Sequence, residues 1–454
     1  MEDQVYDTDT PIVALATAWS ESALAVIRTS GKGSIKLFTK VFSNPAVVLS
    51  STGFTIHYGF IIDSENGQKI DEVTVAVYKT PRSYTGEDSI EIFCHGSLPG
   101  IESIISVLKK AGFRDAAPGE FTMRSFLNGK MDLSQAEAVA EIVQSKSMQA
   151  HSLAFNRLSG AVYERIDYIK GKLVDLMSLL EVQLDYPDDE IGGDTDISLE
   201  PVIEAENEIS KLIDTYRVGK IFHEGVTVAL AGGTNAGKSS LFNLFLREDR
   251  SIVSEINGTT RDYIESWITV EGIPVRLIDT AGIRDSEHPV EVEGIRRSED
   301  IIKNASLVLY VVDGNNGETE EDKTVFMKYG NSKNYLFIWN KIDTSDLEIP
   351  EGYLPVSAVT GVGLPRLEDA ISAILTGVHI SGTELMIDSL RQKDLLVRAK
   401  ESLEVVRVSL TNNISLDAVA MDLKDSLDAI GEITGEVNSV DILNNIFSGF
   451  CVGK

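Results

Sequence analysis

A lysine and a serine stand together at the end of a glycine-rich run, Gly232-Gly233-Thr234-Asn235-Ala236-Gly237-Lys238-Ser239. The spacing is G-x-x-x-x-G-K-[ST]. An apolar run, residues 226–231, precedes it, and a helix-like stretch, residues 240–245, follows. A strand, a glycine turn and a helix start form the context in which this pattern cradles phosphate. The glycines let backbone N–H groups converge on phosphate oxygens, and the helix N-terminus adds partial positive charge. In such a cradle Lys238 reaches the β- and γ-phosphates and the Ser239 hydroxyl ligates Mg²⁺.

Four further groups follow in order. Gly258-Thr259-Thr260-Arg261-Asp262 offers a threonine that can close over Mg²⁺ and the γ-phosphate. The strand-like Val275-Arg276-Leu277-Ile278 delivers Asp279 to the outer shell of the metal, and Asp279-Thr280-Ala281-Gly282 offers the Gly282 N–H to the γ-phosphate. One buried run, residues 307–312, ends in Asp313; another, residues 335–339, ends in Asn340-Lys341-Ile342-Asp343. The Asp343 carboxylate can accept from guanine N1–H and N2–H₂. Adenine has no such donor pair and would leave the carboxylate unpaired. The Lys341 stem can cover the base, Asn340 can brace the loops, and Ser357-Ala358-Val359 can offer backbone N–H to the guanine oxygen. Singly, each motif also reads as a helix cap or a solvated turn. In this order, each at the C-terminal end of a strand, they predict a GTP-binding switch domain.

The site lacks two familiar parts. Where Ras-like enzymes carry a water-positioning glutamine, this chain has Ile283. No arginine finger is assignable, since Arg261, Arg276 and Arg284 read equally as solvated charges. Such a finger is worth roughly 10³–10⁵ in rate, so another group must supply that charge. Asn235 is a candidate ligand for a monovalent cation, with backbone carbonyls of residues 254–258 completing its shell. The carboxylates of residues 287–293 are the nearest means of holding a water; on their own they read better as a solvated acidic loop.

The 454 residues predict several domains. A net charge of −29 argues against a broad nucleic-acid surface, so any such contact is local or shared with a partner. The acidic start, Met1-Glu2-Asp3-Gln4, is unlike a signal peptide, and no apolar run approaches the ~20 residues of a membrane span. Two cysteines, Cys94 and Cys451, suggest neither a disulfide framework nor a zinc cluster. These features together predict a cytoplasmic protein.

The elements that must hold the site fall into four parts. Residues 1–120 alternate strand-like runs with turns around one helix bearing Ile101, Ile104, Ile105 and Leu108. Residues 121–218 are helical, with a stripe of Leu173, Leu176, Met177, Leu180 and Leu184, a break at residues 186–194, and a further helix to about 218. Residues 219–378 carry the nucleotide motifs. Residues 379–454 return to helix, with Leu416, Val419, Leu423, Leu427 and Ile430 at helical spacing. The predicted fold class is multidomain α/β plus all-α. It comprises an N-terminal α+β domain, a helical domain built from two chain segments, and an inserted Ras-like P-loop GTPase domain.

Outside the nucleotide motifs lie Pro81-Arg82-Ser83-Tyr84-Thr85-Gly86-Glu87-Asp88, Pro118-Gly119-Glu120-Phe121-Thr122, residues 126–138, Gly431-Glu432-Ile433-Thr434-Gly435-Glu436 and the terminal Phe447-Ser448-Gly449-Phe450-Cys451-Val452-Gly453-Lys454. On these, together with the GTPase motifs, the chain resembles the MnmE (TrmE) family of tRNA-modification GTPases along its whole length. The resemblance implies a potassium-activated GTPase that works with the FAD-carrying flavoprotein MnmG. Together they add an aminomethyl-type group, aminomethyl or carboxymethylaminomethyl, to carbon 5 of the wobble uridine of certain tRNAs. A tetrahydrofolate derivative of 5-formyl or 5,10-methylene type is the implied one-carbon donor. It would bind the N-terminal domain, which also forms the homodimer, while the GTPase domains pair transiently.

Carried over residue by residue, Arg28, Glu91, Lys130 and Lys454 match folate contacts. Asn235, Ser254, Ile256 and Thr259 match the potassium shell, and Ser239 and Thr260 the magnesium ligands. Glu291 aligns with the glutamate that positions the hydrolytic water, with Glu293 its nearest competitor. The GTP contacts then comprise Asn235, Ala236, Gly237, Lys238, Ser239 and Ser240; Ser254, Glu255, Ile256, Asn257, Gly258, Thr259 and Thr260; Asp279, Thr280, Ala281 and Gly282; Asn340, Lys341 and Asp343; and Ser357, Ala358 and Val359. Thr234 departs from the family's proline in the phosphate loop, and Ser97 from its glycine after His95-Gly96. Cys451 has no local base or helix N-terminus to activate it and reads as packing or pocket lining. Two other functions fit the GTPase motifs alone. One is a ribosome-assembly GTPase, which should carry a basic RNA-binding module; the other is a GTP switch without turnover.

Overall fold

The structure is a computed structural model that describes residues 8–185, 197–247, 264–280, 300–377, 385–412, 414–437 and 440–454. The chain runs through β1 (Ile12–Leu15), β2 (Ser22–Ser30), α1 (Ser34–Phe38), α2 (Pro45–Ser50), β3 (Thr55–Ile62), β4 (Lys69–Tyr78), β5 (Ser89–Gly96), α3 (Leu98–Ala111), β6 (Arg114–Asp115), α4 (Glu120–Leu127), α5 (Leu133–Gln144), α6 (Met148–Leu158), α7 (Ala161–Asp185) and α8 (Glu200–Glu224). There follow β7 (Val226–Gly232), α9 (Lys238–Arg247), β8 (Ile264–Val270), β9 (Ile273–Asp279), β10 (Leu307–Asp313), α10 (Glu320–Tyr329), β11 (Tyr335–Asn340), β12 (Tyr353–Pro355), α11 (Leu364–Thr376), α12 (Leu390–Thr411), α13 (Leu416–Thr434) and α14 (Val440–Ser448). Two compact units result. One comprises Met1–Ala140, Arg157–Gly192 and Leu416–Lys454, the other Glu141–Asn156 and Gly193–Ser415. No helix among the described residues is long and apolar enough to cross a membrane.

In the first unit a six-stranded sheet has the order β3-β4-β5-β2-β1-β6. Its pairs are antiparallel except β1 with β6. Alternation of side chains along the strands sends Ile27, Val73, Val75, Ile90, Ile92 and Cys94 into one core with Ile101, Ile104 and Leu108 of α3. Burial raises the Cys94 thiol to about 11, so this cysteine is an inert core residue. The same alternation puts Arg28 and Glu91, register partners on β2 and β5, on the opposite face. The hydrophobic pattern predicts a single helix in this region; α1 and α2 are two further short ones. Only Ser34, Ile35 and Phe38 of α1 and Val48 of α2 are buried, too few turns to print a helical period.

α4 and α5 form a second small core with Met123, Leu133, Ala136, Val139, Phe447 and Phe450. The C-terminal segment is thereby held to α4, and backbone bonds complete the attachment: Gly119 N donates to Cys451 O at 3.5 Å and Phe121 N to Lys454 O at 3.2 Å. The long helices obey the predicted stripes. Leu173, Leu176 and Leu180 of α7 are buried, as are Val419, Leu423 and Ile430 of α13, and the two helices pack together.

In the second unit the sheet order is β12-β11-β10-β7-β9-β8, parallel apart from β8 against β9. β10 is buried on both faces. Leu307, Leu309 and Val311 meet α9 and α11, while Val308, Tyr310 and Val312 face α10. That accounts for its unbroken apolar run. The helices flanking this inserted segment in sequence, α8 and α12, pack on each other. The helix expected to stop near residue 218 continues to Glu224. Val218, Ile221 and Phe222 extend its apolar stripe into the core under the sheet, and Gly225, at φ +76°, turns the chain into β7.

A buried ion network ties the first unit's loops together. The Arg124 guanidinium, 1% exposed, donates to Glu120 Oε1 (3.1 and 2.9 Å), to Glu87 (3.2 Å) and to the carbonyls of Thr8 and Thr10. Glu120 also accepts from Arg114 and from Ala117 N at 2.9 Å. Burial raises its carboxyl pKa, but the bonds from Arg114, Ala117 N–H and Arg124 outweigh that and hold it below the ordinary value of 4.5. A depressed carboxylate stabilises the fold above its unfolded pKa and stops doing so as pH falls through the folded one. Glu120→Gln should therefore flatten the acid limb of the stability profile below about pH 4.5. Arg124→Ala, which takes one guanidinium from the buried Glu120 and the half-buried Glu87, should cost about 3–5 kcal/mol in urea unfolding at neutral pH.

Candidate nucleotide site

The phosphate loop occupies the turn from β7 to α9, and its geometry explains its glycines. Gly232 has φ +131°, and a Cβ there would stand 2.1 Å from Val311 O on the neighbouring strand. Gly237 has φ +96°, and its Cβ would stand 2.2 Å from Asn340 Nδ2. Asn235 adopts φ +63° and is exposed, a conformation asparagine tolerates better than most residues. Thr234 is likewise exposed and displaces none of these contacts.

Lys238 opens α9 with its ammonium folded back on the loop. Nζ donates to Gly232 O at 2.9 Å and to Gly233 O at 2.7 Å, and the residue is 8% exposed. A phosphate oxygen arriving in the loop would meet a cation already held at its rim. Ser239 Oγ donates to Asp279 Oδ2 at 2.8 Å, and Asp279 is 1% exposed at the end of β9. A hydroxyl against a buried carboxylate beside a phosphate cradle fits a magnesium ion, which favours oxygen ligands and keeps several waters. Thr280 Oγ1 donates to Leu230 O at 2.6 Å and so pins the turn after β9 to β7. Ser240 follows on the exposed side of α9.

The base end is built around Asn340, at the end of β11 and 1% exposed. Its Nδ2 donates to Ala236 O at 2.8 Å, and its Oδ1 accepts from Ala358 N at 3.0 Å. Lys341, at φ +67°, donates from Nζ to Asn235 O and to Asp313 Oδ2, both at 2.8 Å. Asp343 Oδ1 accepts from Ser357 Oγ at 2.6 Å, and Val359 is 76% exposed. The described members of the expected set therefore converge at the C-terminal ends of β7, β9, β10 and β11. Asp313 was legible only as the end of an apolar strand, yet it anchors the Lys341 ammonium. Residues 254–260, Ala281, Gly282, Ile283, Glu291 and Glu293 lie outside the described residues. Of the expected potassium and magnesium ligands, Asn235 and Ser239 are described.

A second polar cluster lies in the first unit. Arg28 Nε donates to Glu91 Oε1 at 2.9 Å and Nη1 to Gly453 O at 3.4 Å, while its guanidinium lies 5.5 Å from the Tyr84 ring and 5.7 Å from that of Phe121. Tyr78 OH donates to Glu91 Oε2 at 3.3 Å. Burial, aided by the charge on Arg28, holds the Lys454 amine below its usual pKa. Gly453 has φ +96° and lies against β1, where a Cβ would meet Leu15 O at 2.4 Å. Arg28, Glu91 and the Gly453-Lys454 end are thus brought together. Lys130 donates to Pro81 O at 3.1 Å, on the loop that carries Tyr84, whose ring faces Arg28. Cys451 is exposed. Ser97 caps α3, accepting from Gly100 N at 3.2 Å with an extended backbone that requires no glycine.

Gly237→Ala should test the loop directly. The added methyl collides with the Asn340 amide, and the left-handed backbone costs an alanine roughly 1–2 kcal/mol. Titration with a fluorescent GTP analogue should show affinity reduced by about tenfold or more, with far-UV circular dichroism unchanged.

Two known families match this chain. The MnmE helical domain family matches residues 133–451, and the family described as GTP-binding protein TrmE N-terminus matches residues 11–130. The tRNA modification GTPase MnmE of Borrelia recurrentis is 42% identical over 464 residues, covering 99% of this chain and 100% of its own. That of Carboxydothermus hydrogenoformans is 39% identical over 459 residues, covering 98% and 99%. Among solved structures, the G domain of the T. maritima FeoB iron transporter is 27% identical over 33% of this chain and 98% of its own, with a TM-score of 0.26. By identity over its full length and by both family matches, the chain belongs to the MnmE family of tRNA modification GTPases.

Proposed function

We propose that this chain hydrolyses GTP to drive a tRNA-modifying cycle in the cytoplasm. The observation that carries the reading is the pairing of Ser239 with buried Asp279 beside Lys238, with the base end set by Asn340 and Asp343. Lys238 binds the β- and γ-phosphates. Asp343, oriented by Ser357, selects guanine. Ser239 and Thr260 would hold Mg²⁺, which neutralises charge building on the phosphates. Asn235, with the carbonyls of Ser254 and Ile256 and with Thr259, would hold K⁺ in the place of an arginine finger. Glu291 positions the attacking water in place of the glutamine that Ile283 replaces.

In the finer reading, residues 1–120 form the homodimer and bind a tetrahydrofolate one-carbon donor. Arg28 and Glu91 meet its pterin and amide groups, with Lys130 and Lys454 alongside. The partner is the flavoprotein MnmG, which supplies FAD. The product is an aminomethyl or carboxymethylaminomethyl group on carbon 5 of a wobble uridine. Residues 121–218 and 379–454 form the helical domain, and residues 219–378 the GTPase domain whose transient pairing potassium favours. The helical flanks, the Arg28–Glu91 cluster and the family resemblance support this assignment over a ribosome-assembly role, as does the acidic chain.

GTP turnover measured in potassium should exceed that in sodium by roughly tenfold or more, reflecting the share of barrier an arginine finger would otherwise remove. Equal turnover in the two salts would remove the potassium assignment. Glu291→Ala should keep GTP affinity while losing about 10²-fold in turnover. Mass spectrometry of wobble uridines from cells lacking the protein should find the carbon-5 group missing; an intact modification would refute the tRNA role while leaving the GTPase chemistry standing.

A further inference from the structure

We propose that Glu141, His223 and Asp388 form a divalent-cation site of zinc type in the second unit, separate from the nucleotide site. Their ligand atoms all lie within 4.8 Å of one another. His223 Nδ1 is 3.0 Å from Asp388 Oδ2. The Asp388 side chain is 1% exposed and Glu141 is 7% exposed. The three come from separate places: α5, the last turn of α8, and the residues just before α12.

The backbone brings them into register. Thr215, Gly219 and His223 recur every four residues and so share one face of α8. Ile387 N donates to Thr215 Oγ1 at 3.2 Å, and Ile387 O passes so close that a Cβ on Gly219 would stand 2.2 Å away. Asp388 is thereby laid beside His223. Chain entering the GTPase segment and chain leaving it are adjacent at this point, and an ion bound there would clip them together.

Imidazole and two carboxylates suit zinc, and three protein ligands leave a fourth position for water. Bonds of about 2.0–2.1 Å in a tetrahedron place neighbouring ligand atoms roughly 3.3 Å apart. The 3.0 Å histidine–aspartate separation is close to that edge, and the separations to the Glu141 carboxylate are at most 4.8 Å.

The test uses the full chain, stripped with chelator and free of nucleotide, loaded with zinc and desalted. Elemental analysis should find close to one retained zinc per chain, and chelator competition should show affinity at least about tenfold weaker in Asp388→Asn and in Glu141→Gln. Cys451→Ser should retain the zinc, which excludes the exposed thiol as the ligand. If either isosteric variant fails to fold, cobalt loaded into the wild type decides. Visible bands of nitrogen and oxygen ligation, without thiolate charge transfer, support the site, and their absence overturns it. Lack of retained zinc in the wild type, or equal retention in all variants, also overturns it and leaves the triad as a hydrogen-bonded brace.

Discussion

The nucleotide end of the second unit depends on one amide. Asn340 is buried, its NH₂ is spent on the phosphate-loop carbonyl of Ala236 and its oxygen on the N–H of Ala358. The phosphate-loop carbonyl of Ala236 and the N–H of Ala358 after β12 are thus set by opposite ends of the same side chain. Gly237 is a glycine because that amide occupies the space where a Cβ would be. Lys341 adds a second tie, from Asn235 O to Asp313. The phosphate loop therefore takes its shape from β11 as much as from its own sequence.

The first unit solves a similar problem with charge. Arg124 joins Glu120, Glu87 and the carbonyls of Thr8 and Thr10, so the 81–88 loop is held against α4. Tyr84 OH meets Thr122 Oγ1 at 2.9 Å, and Ser125 and Asn128 donate to the carbonyls of Tyr84 and Thr85. Such buried pairs add little net stability but penalise any other arrangement of the loops they join. The Arg28–Glu91 pair beside Tyr84 is positioned by this framework.

Much of this was legible in the sequence where a short-range pattern maps onto one element. The unbroken run of β10 is buried on both faces, and the helical stripes of α7 and α13 are the ones that pack. Asp279 and Asn340 announced themselves by ending strands, and Asp343 by following Asn340 three residues on. What stayed hidden depends on contacts between distant residues. Nothing local to Asp313 marks it as the partner of Lys341. Gly219 looks like a helix weakener, and only the approach of Ile387 O, 168 positions on, explains it. Nothing local to Lys130 marks Pro81 O, 49 positions earlier, as the acceptor of its Nζ.

The two cysteines have unlike surroundings. Cys94 is sealed in the sheet core with its thiol pushed up to about 11, whereas Cys451 is exposed beside the Gly453-Lys454 end. At neutral pH a thiol reagent discriminates between them without any substitution. The native chain therefore carries its own single attachment point for a fluorophore or spin label, next to the Arg28–Glu91 cluster. Events in that cluster become observable in labelled protein that carries no substitution, with the nucleotide loop left untouched.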